Sequence, residues 1–238
     1  MHWSKNFPRS MLLDNEIHVY CAHLDEMNVD ALLLLLSDDE RARAERFHFD
    51  IDRRRFIARR GQLRLLLSRY LDVLPAQIAF AYSAHGKSYL PNQALHFNLS
   101  DAKPLALYAF ARVPIGIDIE HIYTMSDMDD VAALMFSQAE NAVYRALPDE
   151  QKAEGFFNCW TRKEAFIKAV GEGLSYPLAD FDVTLKPGDS AKILRIRENT
   201  QAYQAWSLYD LQPAADFCGA LAIQGRGWHV SCYSLTGG

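Results

Sequence analysis

The spacing of apolar residues divides the chain of 238 residues into two stretches built alike, helices first and strands after. Residues 16–24 (EIHVYCAHL) open the first stretch with strand character. Residues 29–36 form a short apolar helix or helix end. Ser37 stands three residues before Glu40. At that spacing a serine hydroxyl and a glutamate carboxylate each satisfy the other's backbone N–H, which predicts a helix over 38–46. Phe56, Ile57, Leu63, Leu66, Leu67 and Tyr70 then recur on one helical face, predicting a longer helix over 52–71 that Pro75 ends. From Ile78 the pattern shortens to strands at 78–82, 95–99 and 105–112, punctuated by Gly86 and Pro91.

Pro114 breaks the chain and the scheme repeats. Residues 131–147 are expected to be helical, with Ser137 and Glu140 again in capping-box spacing, and 156–170 form a second helix. Strands follow at 181–185, 191–196, 205–209, 219–223 and 229–235. The expected class is α+β, with two similar α+β halves, residues 1–112 and 113–238. No low-complexity linker separates them, so they are expected to pack tightly.

Composition narrows the function. Half of the residues are hydrophobic and 23% are charged, the balance of a soluble protein with a sizeable core. A net charge of −5 argues against general nucleic-acid affinity. Cys21, Cys159, Cys218 and Cys232 show no CxxC spacing, so reduced cysteines are expected rather than a zinc site. The longest aliphatic run, 31–36, falls far short of a membrane span, and the N-terminal segment lacks the apolar stretch of a signal peptide. A cytoplasmic protein without a membrane partner is expected.

Two blocks carry chemistry. In the first, Gly116-Ile117-Asp118-Ile119-Glu120, a strand would turn Ile117 and Ile119 to the core and put Asp118 and Glu120 together on the other face. Two neighbouring carboxylates repel unless a cation lies between them, and oxygen-only ligands suit Mg²⁺. Alone, the block also reads as an exposed polar strand face. In the second block, residues 160–168 (WTRKEAFIK), Trp160, Glu164 and Lys168 fall on one helical stripe. Alone, Glu164 and Lys168 also read as a helix-stabilising pair, and Trp160 as core.

The pair of blocks, some forty residues apart, resembles the signature of the 4′-phosphopantetheinyl transferases. Gly116, Asp118 and Glu120 match its first part, and Trp160, Thr161, Lys163, Glu164, Ala165 and Lys168 its second. Gly86-Lys87 with Pro91, and Phe97-Asn98-Leu99-Ser100, resemble two further segments of the family. The length resembles the larger, Sfp-type branch, which implies a monomeric pseudo-dimer with the active site between its halves. The implied reaction moves 4′-phosphopantetheine from coenzyme A to a serine of an apo carrier protein (acyl, peptidyl or aryl) and releases 3′,5′-ADP. It would serve fatty acid, polyketide, nonribosomal peptide or siderophore synthesis.

By resemblance, Asp118, Glu120 and Glu164 would bind Mg²⁺. Lys168 would contact the coenzyme A phosphates, and Glu164, or a water it holds, would take the serine proton. Lys87, Ser100 and Lys163 belong to the implied coenzyme A set, as do Arg43 and Arg55 among the ten arginines of residues 41–69. For most of those arginines, solvated helix faces remain the plainer reading. Asp101 departs from the family, which has histidine there. A histidine can donate to a phosphate, whereas an aspartate is repelled by one. The alternative this motivates is a coenzyme A-binding homologue with weak or lost transferase activity. A carrier-binding surface is expected around Met125, Met128, Leu134, Met135 and Phe136, which also read as core helix residues.

Overall fold

A computed structural model of the chain describes residues 2–5, 12–91, 95–196 and 202–235. Its first part runs β1 (Trp3–Ser4), β2 (Glu16–His23), α1 (Val29–Leu33), α2 (Asp38–Ala44) and α3 (Asp50–Leu71), then a short hairpin, β3 (Ala81–Tyr82) and β4 (Ser88–Tyr89), and a longer one, β5 (His96–Ala102) and β6 (Leu105–Ala111). The second part runs β7 (Ile115–His121), α4 (Met128–Met135), α5 (Gln138–Arg145), α6 (Asp149–Val170), β8 (Phe181–Val183), β9 (Ile193–Ile196), β10 (Trp206–Leu211), β11 (Phe217–Gln224) and β12 (His229–Leu235).

Each half therefore has a strand, a capped short helix, a 22-residue helix and an antiparallel hairpin. β2 pairs antiparallel with β6, and β7 pairs antiparallel with β11. The sheets are β1-β12-β2-β6-β5 and β10-β11-β7. β12 runs parallel to β2, so the last strand of the chain completes the sheet of the first half. The break between residues 112 and 113 falls in the turn from β6 to β7, but the sheets cross it.

Strand alternation sorts the core into layers. Ile17 and Val19 of β2, Leu107 and Ala109 of β6, and Ile115, Ile117 and Ile119 of β7 share one apolar cluster in the seam between the sheets. The opposite faces pack on the long helices, with Tyr20, Tyr108 and Phe110 against the α3 side and Ala220 and Ala222 against the α6 side.

The two capping boxes anchor matching buried ion pairs. The backbone N–H of Ser37 donates to Glu40 Oε2 (3.2 Å), and that of Ser137 to Glu140 Oε2 (2.8 Å). Glu40 accepts from Arg60 and, at 2.6 Å, from Arg64 Nε. Glu140 pairs with Lys163 Nζ at 2.8 Å. Arg64 also donates to the carbonyls of Pro75 and Ile78, and Lys163 to those of Leu178 and Phe181. Counted from the matching ends of their helices, Arg64 and Lys163 hold the same position.

The expected single helix over 131–147 is two. Phe136 is extended (φ −91°, ψ 150°), Ser137 caps α5, and Asn141 Nδ2 bridges the break by donating to the carbonyls of Ala132 and Phe136. The helix expected at 156–170 begins earlier, at Asp149, because its first two turns are too polar to show an apolar period. In the proposed carrier region Met128 and Phe136 are core, whereas Leu134 is 80% exposed. Among the described residues no helix is long and apolar enough to cross a membrane.

Candidate active site

Small residues let α6 lie directly on β7. A Cβ added to Gly116 would stand 2.0 Å from the Ala165 carbonyl and 2.4 Å from the Ala169 nitrogen. At Gly219, on the neighbouring strand, it would stand 2.7 Å from the Asp118 carbonyl. From the other half β5 packs beside β7, and Asn98 Oδ1 accepts the N–H of Ile117 at 2.8 Å. Three elements therefore meet at Asp118.

Asp118 is 3% exposed. Its Oδ1 accepts from Lys168 Nζ (2.6 Å) and from the Ser100 hydroxyl (2.8 Å). Lys168 Nζ also donates to Ser100 Oγ (3.1 Å). One acidic, one basic and one hydroxyl side chain, drawn from β7, α6 and β5, thus form a closed triangle across the halves. Asp118 Oδ2 and Glu164 Oε1 are buried with no hydrogen-bond partner among the described residues. A buried carboxylate oxygen left so is costly unless a donor or a cation meets it.

The electrostatics agree. Burial pushes the Asp118 carboxyl up, and Lys168 and Ser100 oppose it. Glu120 is pushed up to about 7, first by burial and then by the charge of Asp118, eased by Lys168 and by a hydrogen bond from Trp160. Glu164 is raised by burial and by Asp118, with Lys168 opposing. Three acids lie near one another, each made reluctant to ionise chiefly by burial, with Lys168 only partly offsetting it.

Beside them opens a cavity of about 660 Å³, lined by Glu164 and Lys168 from one half and by His85, Gly86, Lys87 and Asn98 from the other. Lys87 Nζ donates to the backbone carbonyls of Ile115 (3.1 Å) and Lys168, tying the β3–β4 hairpin to the end of α6. Burial, and then the nearby Lys168, bring its ammonium down to about 8.

Residues 114–222 match the model of the 4′-phosphopantetheinyl transferase superfamily. The chain is 41% identical over 234 residues to the 4′-phosphopantetheinyl transferase HetI of Nostoc sp., covering 95% of each chain. It is 34% identical over 196 residues to the 4′-phosphopantetheinyl transferase psf-1 of Bacillus pumilus, 80% of this chain and 82% of that protein. The chain belongs to the 4′-phosphopantetheinyl transferase superfamily. Similarity to HetI along almost its whole length places it in the larger branch, which also contains Sfp of Bacillus subtilis, 31% identical over 163 residues, 68% of this chain and 72% of that protein.

Of the residues expected to serve a phosphopantetheinyl transferase site, the structure brings together Asp118, Glu120, Glu164, Lys168, Ser100 and Lys87. Three lie elsewhere. Lys163 is 1% exposed, and its ammonium is taken by Glu140 and two carbonyls on the far side of α6, so it is no coenzyme A ligand. Arg55 is clasped by both oxygens of Asp25, each at 2.7 Å, and does not line the cavity of Glu164 and Lys168. Arg43 lines a different cavity, on the α2 side with Arg46 and Phe47. Sequence reasoning gave no role to Asn98, which lies inside the FNLS segment.

Proposed function

We propose that the cleft between the halves performs the transfer of 4′-phosphopantetheine from coenzyme A to a serine of an apo carrier protein. Transferase activity on coenzyme A and a carrier follows from membership of the family. The observation that supports this cleft as its seat is the Lys168–Asp118–Ser100 triangle with two orphaned carboxylate oxygens beside it.

Asp118, Glu120 and Glu164 are the residues that would hold Mg²⁺. Among the described residues no ready-made group of three metal-binding side chains is found. The donor chemistry nevertheless fits: all oxygen, two oxygens without partners, and acids held away from ionisation by burial. Bound there, the ion would neutralise diphosphate charge and polarise the phosphorus under attack.

The remaining steps belong to the side chains. The carrier serine oxygen bonds to the β-phosphorus, the bond from that phosphorus to the bridging oxygen breaks, and 3′,5′-ADP carries the electron pair away. Lys168 reaches the phosphate oxygens, where negative charge grows. Glu164, its carboxyl raised by burial, or a water it holds, takes the serine proton. Asn98 and Lys87 fix β5, β7 and the end of α6 against one another, so the groups are held before substrate arrives.

An intact-mass assay tests the reading. The protein, Mg²⁺ and coenzyme A are mixed with a panel of apo acyl, peptidyl and aryl carriers. A gain of one phosphopantetheine group, abolished by EDTA, is expected. No gain on any carrier rejects it.

A further inference from the structure

β7 is the outer strand of its sheet, so one of its edges has no strand to pair with. Side chains from the first half close that edge. Asn98 Oδ1 takes the N–H of Ile117, and Lys87 Nζ donates to the carbonyl of Ile115 two residues earlier. Buried backbone groups on an open edge need partners, and here two side chains stand in for the missing neighbour.

Lys87 does more than Asn98, because it also donates to the carbonyl of Lys168. That carbonyl is among the last four of α6, which lie beyond the reach of the helix's own N–H groups. An ammonium placed there meets the negative end of the helix dipole. Lys87 thus spends two of its three N–H groups on backbone, and no carboxylate pairs with it among the described residues. Its base is fixed as well. At the tip of the β3–β4 hairpin the Ser83 N–H donates to the Lys87 carbonyl (2.9 Å), and the Lys87 N–H donates to Ser83 Oγ (3.2 Å). A Cβ added to Gly173, just past α6, would stand 3.1 Å from His85 Cβ of the same tip, so the hairpin lies closely on the end of the helix.

Hairpin, strand edge and helix end therefore converge on the backbone of Lys168. Its own ammonium lies 2.6 Å from Asp118 Oδ1 and 3.1 Å from Ser100 Oγ. We propose that Lys87 is a positioning residue of the transfer: it holds the end of α6 on β7 so that Lys168 meets the reacting phosphate, and it acts through Lys168 rather than on coenzyme A. This differs from the direct hold on coenzyme A that the family resemblance implies for Lys87. It rests on the transferase reading above.

The test compares the parent with Lys87→Met, which keeps a similar length and loses the donors, and Lys87→Arg, which keeps charge and donors. Single-turnover transfer at saturating coenzyme A and Mg²⁺ is read by intact mass, and coenzyme A affinity by calorimetry. In Lys87→Met the rate is expected to fall by about a hundredfold, the cost of a misplacement on the order of 1 Å. Affinity is expected to stay within about threefold, because the lost contact serves the transition state rather than binding. Lys87→Arg should recover most of the rate. Added to Lys168→Met, Lys87→Met should cost nothing further, since a residue that acts through Lys168 has no effect once that ammonium is gone. In the ligand-free Lys87→Met protein the N–H of Gly171, bound to the Ile167 carbonyl at 2.8 Å, should exchange faster by NMR. A loss of coenzyme A affinity of about tenfold or more, the worth of one charged hydrogen bond, would make Lys87 a ligand and overturn the proposal whatever the rate does. A parental rate would overturn it too, even with a lower melting temperature, and so would full additivity in the double variant. Lys87→Gln, which keeps one amide donor, answers the same questions if Lys87→Met does not fold. Failure of the parent protein to transfer to any carrier would sink the transferase reading, and the proposal with it.

Discussion

The two halves share a scaffold and differ in what fills the layer between sheet and long helix. In the first half that layer is aromatic. His18 Nδ1 and Tyr20 Oη both lie 2.7 Å from Tyr70 Oη, and Phe110 packs its ring against those of Tyr20 and Tyr70. By strand register, Gly116 and Asp118 of β7 take the places of His18 and Tyr20, while Ala220 and Ala222 take those of Tyr108 and Phe110. Ala169 stands where Tyr70 stands on its helix. Small residues draw α6 onto β7, and that approach lets Lys168 reach Asp118. One copy of the scaffold spends its layer on packing and the other on chemistry.

The sharpest break of this comparison is Glu164→Gln. Transfer is expected to fall by about a thousandfold or more, the usual worth of a positioned base. The melting temperature should hold or rise, because the change removes a buried oxygen's reluctance to carry charge. Turnover near the parental rate in single-turnover mass measurements would remove Glu164 from its role. Arg69 occupies on α3 the place that Lys168 occupies on α6, and Arg69→Ala should leave transfer within about twofold.

Lys163→Met sharpens the shared part of the scaffold. It strands the Glu140 carboxylate, 2% exposed, without its cation, at a cost of about 3–5 kcal/mol. Arg64→Met is expected to cost less, because Arg60 remains on Glu40. Denaturant titration measures both. Coenzyme A affinity of whatever Lys163→Met protein folds should be unchanged; a large loss would return Lys163 to the binding site.

Much of this was legible in sequence, and the parts that were not share a cause. Both capping boxes, the alternation of residues 116–120 and the Trp160–Glu164–Lys168 stripe depend on neighbours within a few residues, where period and spacing speak directly. Lys163 was misread because it sits beside Glu164 in the sequence but about 100° around the helix, facing Glu140. The signal that could have corrected it was the repeat itself, since Arg64 holds the same place in the first half. The parallel docking of β12 on β2 and the Arg59–Asp101 pair join residues far apart in the chain, and no local pattern announces such contacts.

Gly116→Ala should disturb fold and chemistry together. The new methyl meets the α6 backbone, which cannot swing aside as a side chain can, so about 1–3 kcal/mol of stability is expected to go. Displacing α6 also shifts Glu164 and Lys168 from Asp118, so kcat should fall in the protein that still folds. His18→Ala, at the matching place in the first half, should cost stability without a fall in kcat. Equal losses of kcat in the two variants would show that the halves are not specialised as the packing indicates.

The smallest effect belongs to Asp25, whose pairing withdraws Arg55 from the candidate binding set. Its hydrogen bonds from Arg55 hold the carboxyl below its usual value, against a small opposing effect of burial. Because the folded state binds this proton less readily than the unfolded chain, the contribution is fully present above the ordinary aspartate value. It is lost as the pH falls through the depressed one. The pair is part-exposed, at 21% and 32%, so solvent screening keeps it below about 1 kcal/mol. Asp25→Asn should therefore lower stability slightly at pH 7 and not at all in strong acid, as read by urea titrations at the two pH values. Its coenzyme A affinity should stay within about twofold of the parent, because an arginine that serves only this pair gains nothing by release. A clear tightening would show that Arg55, once freed, reaches a phosphate, and that the first half contributes more charge to the cleft than its packing suggests.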